Sequence, residues 1–142
     1  MSSFNMGKSQ DLKLGLLLWF RLAQFYNRSN QLSNQHLKKW NLSIAQFDLL
    51  VQVGVHQPIS QQGLAEKLLV TKGNITQMVV KMESAGLIQR TQEWRTKHIT
   101  LTNKGKELYE EVVPQQELFQ VSQFQALTKD EQKQLLALLK KL

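Results

Sequence analysis

At 142 residues with 42% hydrophobic side chains, the chain has the size of one ordinary domain and can build a core without disulfides or metal. It contains no cysteine, which excludes a disulfide framework, cysteine-based zinc sites and thiol redox chemistry, and fits a cytoplasmic protein. Its formal net charge of +7 points to a polyanionic partner, either nucleic acid or an anionic membrane.

Residues 10–36 read as a helix, with Leu12, Leu16, Trp19, Leu22, Ala23 and Tyr26 at three- and four-residue steps. Leu14, Leu17, Leu18, Phe20 and Phe25 fill much of the remaining circumference, so this helix must bury more than one face, the second against a partner subunit. The longest apolar run, Leu14 to Phe20 around Gly15, is too short to span a bilayer, and no small-residue cleavage site follows it. Neither a membrane partner nor a signal peptide is expected.

Ser43 and Gln46 form a capping-box pattern that opens a second helix. Phe47, Leu50, Val51 and Val55 give its buried stripe, and His56-Gln57-Pro58 stops it. Ser60 caps a short third helix with Leu64, Ala65 and Leu68 inward. Thr71 caps a fourth, running to about Ser84, in which Ile75, Met78, Val79 and Met82 are apolar and after which Gly86 suits a C-terminal cap. Strands follow at Leu87–Gln92 and His98–Thr102, joined by a five-residue tip, Glu93-Trp94-Arg95-Thr96-Lys97. Thr102 caps a long helix to about Gln125, kinked or broken at Pro114. Thr128 and Glu131 box the start of a last amphipathic helix. Two short helices in tandem followed by a hairpin make a winged helix-turn-helix, mainly α with a small β-hairpin wing.

The fourth helix carries Asn74, Gln77 and Lys81 opposite its apolar stripe, with Thr71, Lys72 and Gly73 at its start and Thr76 alongside. Asn and Gln can grip an adenine edge with two hydrogen bonds, Lys suits guanine or phosphate, and a recognition helix reads bases with its N-terminal part. Gly73 leaves room for close backbone approach. From Ser60 to Lys104 seven Lys/Arg face three Asp/Glu, a balance of +4 out of the total +7. Arg95 at the hairpin tip is placed to enter a minor groove, and Lys97 and Arg90 to meet phosphates. Ser60 completes the candidate DNA-binding set. For Trp94 two placements are open, packing under the wing or lying against a sugar, and packing is the expected one.

These residues bring a resemblance into view. The stretch Leu64–Arg90, the junction Ile99-Thr-Leu-Thr-Asn-Lys-Gly105 and the closing Leu127-Thr-Lys-Asp-Glu-Gln132 resemble the recognition module, wing junction and last-helix cap of the MarR family of bacterial regulators. The resemblance covers essentially the whole chain. It implies a single domain over 1–142, with a DNA-binding lobe at 43–104 and a helical dimerisation region at 10–36 and 105–142. It further implies a homodimeric repressor of double-stranded DNA, released by a small aromatic effector. The family's wing signature is Asp-x-Arg; here Glu93, Trp94 and Arg95 occupy those positions, and Gln77 falls where many members carry Arg. The family's acid-to-arginine brace between wing and helix is therefore expected to be absent or rewired.

Trp19, Phe20, Tyr26 and Trp40 have two readings, ordinary packing or the lining of an effector pocket between the first helix and the DNA-binding lobe. His36, His56 and His98 lie far apart and show no ligand spacing, so no metal is expected, and no cofactor either. No nucleophile, base and acid stand together, and no Gly-rich phosphate loop exists, so an enzyme is not expected. An effector-independent regulator, or a protein-interaction module that has lost DNA contact, remain the alternatives.

Overall fold

Hydroxyl side chains start the α-helices from Ile44 onward. In a computed structural model, which describes residues 6–142 (the side chains of Met6 and Glu93 apart), Ser43, Ser60, Thr71, Thr102 and Thr128 each accept the backbone N–H three residues on. Each satisfies one of the donors that a helix N-terminus leaves without an intrahelical partner. The elements run α1 (Met6–Leu37), a 3-10 turn (Lys38–Trp40), α2 (Ile44–His56), β1 (Ile59–Ser60), α3 (Gln61–Leu68), α4 (Lys72–Ser84), β2 (Ile88–Glu93), β3 (Thr96–Leu101), α5 (Asn103–Ser122) and α6 (Lys129–Leu139). No helix among the described residues is long and apolar enough to cross a membrane.

Packing divides the chain into two units, one ending at Leu32 and one spanning Ser33–Leu142. In the first unit α1 leaves Leu12, Leu14, Leu16, Leu17, Leu18 and Leu22 exposed. The second unit holds the core: Phe47, Leu49, Leu50 and Val53 of α2, Leu64 of α3, Ile75, Val79 and Met82 of α4, Ile88, Ile99 and Leu101 of the sheet, and Val112 and Val113 of α5. Leu37 and Leu42 join it from before Ser43. The core therefore recruits residues on both sides of the 43–104 stretch expected for the DNA-binding lobe.

Three details depart from expectation. The inward stripe of α2 runs through Leu49 and Val53, while Val51 is half-buried and Val55 is exposed, because the helix is covered from two sides and not one. The hairpin tip is a two-residue turn, Trp94-Arg95, since the ladder continues to the Glu93–Thr96 pair. A third strand, β1, pairs antiparallel with β3 through Ile59–Ile99 and Ser60–His98, giving the order β1-β3-β2. Beyond the end of β1, the Gln57 side-chain oxygen accepts the Leu101 N–H at 2.9 Å, so a carboxamide continues the ladder where Pro58 interrupts the strand. Pro114 lies inside α5 without breaking it.

The end of α4 is closed by a Schellman turn. Gly86 takes φ +76°, its N–H reaches the Glu83 carbonyl at 2.9 Å, and the Leu87 N–H reaches the Met82 carbonyl at 3.0 Å. The first turn of α5 then engages the carbonyls left over. Lys104 Nζ donates to Ala85 O at 3.0 Å, the Thr102 hydroxyl donates to Gly86 O at 2.5 Å, and the Thr102 N–H donates to Leu87 O at 3.1 Å. Gly105 is buried against this turn, and a β-carbon on it would overlap the Leu87 carbonyl oxygen.

Gly105→Ala is therefore expected to destabilise the fold by about 1–3 kcal/mol or more, because backbone must yield. Gly54→Ala should cost less, since the atoms nearest a β-carbon there belong to the Tyr109 side chain and not to the backbone. Urea unfolding of the two variants beside the parent chain measures both.

Candidate nucleic-acid interface

The amphipathic division of α4 sets the site. Ile75, Val79 and Met82 are buried to within 1% of complete, while Lys72, Gly73, Asn74, Gln77 and Lys81 stand exposed. A β-carbon on Gly73 would meet nothing within 4 Å. No contact inside the chain thus calls for glycine at this helical position, where glycine lowers helix stability. The Thr71 oxygen accepts from the Asn74 N–H at 3.2 Å, which fixes the first turn and leaves the Asn74 side chain outward.

Other predicted site residues are partly committed within the protein. Ser60 is half-buried and its hydroxyl caps α3 by accepting from Gly63 at 3.0 Å. The Thr76 hydroxyl donates to the Lys72 carbonyl at 2.9 Å and accepts from Gln61 Nε2 at 2.9 Å. Gln61, absent from the sequence-based set, thereby pins α3 to the outer face of α4. Arg90 is committed in part. Its guanidinium makes a bidentate pair with Glu83, at 3.1 and 3.0 Å, through Nε and one Nη. This pair ties the last turn of α4 to β2, an acid–arginine brace between recognition helix and wing on residues other than those of the family's signature. The arginine beside it holds the Glu83 carboxyl below its ordinary range, chiefly through the side-chain hydrogen bond.

Arg95 and Lys97 are exposed at the wing. Trp94 does not pack under it: the side chain is 95% exposed, and its backbone takes φ +59°. A two-residue turn has no body beneath it for a ring to lie on. The side chain of Glu93, the acidic position of the wing signature, lies outside what the structure describes. Lys104, also missed from sequence, meets the carbonyl end of α4, where a cation opposes the negative end of the helix dipole.

The aromatic residues proposed for an effector are placed as follows. Trp19 and Phe20 share one shallow apolar surface of α1 with Leu12 and Leu16, and Tyr26 is exposed on the same helix. Trp40, in the other unit, is half-buried and meets the His36 ring edge-on at 5.2 Å. His36 also stacks on Phe119 at 4.5 Å, and its Nδ1 lies 2.7 Å from the side-chain oxygen of the fully buried Gln116. Among the described residues no group of three or more His, Asp or Glu is gathered as a metal site would need.

Comparison with known proteins agrees with this geometry. The model of the MarR family matches residues 42–94. An HTH-type transcriptional regulator of Bacillus cereus is 45% identical over 133 residues, covering 93% of this chain and 90% of that one. Among solved structures, the MepR–DNA complex of Staphylococcus aureus superposes with a TM-score of 0.76 at 25% identity, covering 87% of this chain and 92% of MepR. BpsR of Bordetella bronchiseptica, described as regulated in its DNA binding by 6-hydroxynicotinic acid, superposes with a TM-score of 0.79 at 23% identity, over 88% of this chain and 97% of that one.

Removing the brace gives a pH-dependent prediction. A carboxylate whose pKa is lowered by folding adds stability that is present above its unfolded value and lost as pH falls through the folded one. Glu83→Gln should lower the melting temperature slightly at pH 7, as expected for an exposed pair worth less than about 1 kcal/mol. Below the ordinary value of 4.5 the difference from the parent chain should shrink and then vanish, which melting curves across pH 3–7 would record.

Proposed function

Because the chain belongs to the MarR family of HTH-type transcriptional regulators, we propose that it works as a two-fold dimer that represses transcription from a pseudo-palindromic DNA operator. The observation that carries this reading is the outer face of α4, where Lys72, Asn74, Gln77 and Lys81 surround a glycine for which no internal contact calls. Asn74 and Gln77 supply bidentate partners for base edges in a major groove, and Lys72 and Lys81 meet phosphate or guanine. Ser60, Thr71 and Thr76 hold the helix ends and the α3–α4 pairing that aim this face, while their backbones and flanks remain close to phosphate. Arg95 reaches a minor groove and Lys97 a phosphate beside it. Arg90 acts first as the brace on Glu83 and contributes to the field at the wing.

The dimer is supported by apolar surface that one chain leaves in water. Leu14, Leu18 and Trp19 of α1 are 59%, 58% and 75% exposed, and Leu136 and Leu138 of α6 are 55% and 60% exposed. Surface of this kind marks an association face. A small aromatic acid is the effector class this reading favours, by likeness to BpsR and from the exposed rings of Trp19, Phe20 and Tyr26 on α1. Such a ligand releases DNA only by binding one dimer geometry better than the other, and a tenfold change in DNA affinity requires about 1.4 kcal/mol of that preference. An effector-independent regulator is the alternative, distinguished by titrating aromatic acids against the protein–DNA complex.

Sedimentation at micromolar concentration should give about twice the 16.4 kDa of one chain. Selection of duplexes from a random pool should then yield an inverted repeat with half-sites about 34 Å apart, the spacing of two recognition helices on one DNA face. A monomer, or direct repeats, would refute the dimer geometry.

Gly73→Ala should leave melting unchanged or raised, yet weaken binding to the selected duplex. Asn74→Ala and Gln77→Ala should cost about 1–3 kcal/mol on that duplex and much less on random DNA. Arg95→Ala and Lys97→Ala should weaken both more evenly and flatten the salt dependence. Binding isotherms on the two duplexes at several salt concentrations separate these patterns.

A further inference from the structure

The wing tip joins two features that packing does not explain. Trp94 keeps 95% of its surface in water, though tryptophan is among the largest apolar groups a protein can bury. It also occupies the left-handed region, at φ +59°, in a turn position where glycine or asparagine is the residue of choice. A bulky side chain held in that region is strained, and such strain persists where a function uses it. The strand ladder runs to the Glu93–Thr96 pair immediately beneath, and Gln92 Nε2 donates to the Trp94 carbonyl at 3.2 Å. The indole is therefore carried at the extreme end of a two-residue tip, with Arg95 next to it and Lys97 behind.

We propose that Trp94 is a minor-groove contact of this regulator, its indole packing against the deoxyribose walls of the groove that Arg95 enters. The inference rests on the DNA-binding reading above and adds to it a contact of a different kind. Arginine and lysine neutralise phosphates or follow the groove potential, and their contribution fades as salt rises. An indole on sugar displaces water from apolar surface and releases no counterion. The sugar edges of a minor groove supply the apolar surface that the ring lacks in the free protein, and apolar side chains are used in this way by minor-groove proteins. With 95% of its surface in water, the ring lies clear of the strands.

The test uses the full chain and a duplex of about 30 base pairs selected from a random pool by the parent protein, titrated between about 50 and 200 mM salt. Trp94→Gly should lose about tenfold in affinity at every salt concentration, with an unchanged slope of log affinity against log salt. Its melting temperature should not fall, because glycine accepts the backbone conformation that tryptophan resists. Arg95→Ala should lose affinity and also flatten the slope by about one. In protein labelled with 5-fluorotryptophan, the resonance assigned through Trp94→Phe should move on adding duplex and lose its sensitivity to exchanging H2O for D2O. Equal affinities of Trp94→Gly and parent, or a Trp94 resonance still open to solvent in the complex, would overturn the proposal. A change in sedimentation of free Trp94→Gly would overturn it too, by making the ring a contact between copies of the chain. If the parent protein selects no duplex at all, the DNA-binding reading falls, and this inference with it.

Discussion

Three consecutive carbonyls at the end of α4 govern how that helix and the wing are held. Ala85, Gly86 and Leu87 have passed the last helical turn, so their oxygens have no helical partner. All three are taken by two residues at the start of α5, Thr102 and Lys104. Thr102 is used three times: its N–H and hydroxyl bind the turn, while its oxygen also accepts from Gly105 and so starts α5. Gly105 has no side chain because the Leu87 carbonyl stands where one would be. Recognition helix, wing and long helix therefore share one joint. The Glu83–Arg90 pair adds a second, solvent-facing tie between the first two, weaker because water and salt reach it.

Local signals in the sequence were enough for most elements. Every helix start marked by Ser43, Ser60, Thr71, Thr102 and Thr128 rests on a residue and its neighbour three positions on, and such a pattern lies within one helical turn. The buried and exposed sides of α4 follow from a 3.6-residue period repeated over 13 residues. What was not legible has a different physical character. A two-residue strand such as β1 has no period to detect, and Pro58 before it argues against a strand. The sequence suggests a five-residue tip because Thr96 and Lys97 are polar, as strand residues on an exposed ribbon also are. Gln61–Thr76, Glu83–Arg90 and Gln57–Leu101 join residues 15, 7 and 44 positions apart, and nothing in residue type alone selects those partners from the other polar groups of the chain.

The candidate site divides in the same manner. Exposure of Lys72, Asn74, Gln77 and Lys81 follows directly from the helix period. The commitments of Thr76 and Arg90 do not, because each depends on a neighbour from another element. A polar residue beside such a helix can serve as a contact, as a strut or as both, and its hydrogen-bond partners show the strut. The wing shows the converse. Trp94 looked like a packing residue by its chemistry, and the shortness of the turn leaves it no surface to pack on.

α5 also has a mechanical meaning. Its 20 residues make a rod about 30 Å long, at 1.5 Å per residue, anchored at one end by the joint on Leu87. On a rod of that length a rotation of about 2° at the anchor moves the far end by about 1 Å. Pro114, a little past the middle, has no N–H to give the Glu110 carbonyl, so the rod carries a compliant point between anchor and tip. Angular error at one buried glycine is thereby amplified into displacement at the other end. The absence of a single methyl group from Gly105 sets the aim of a lever many times its size.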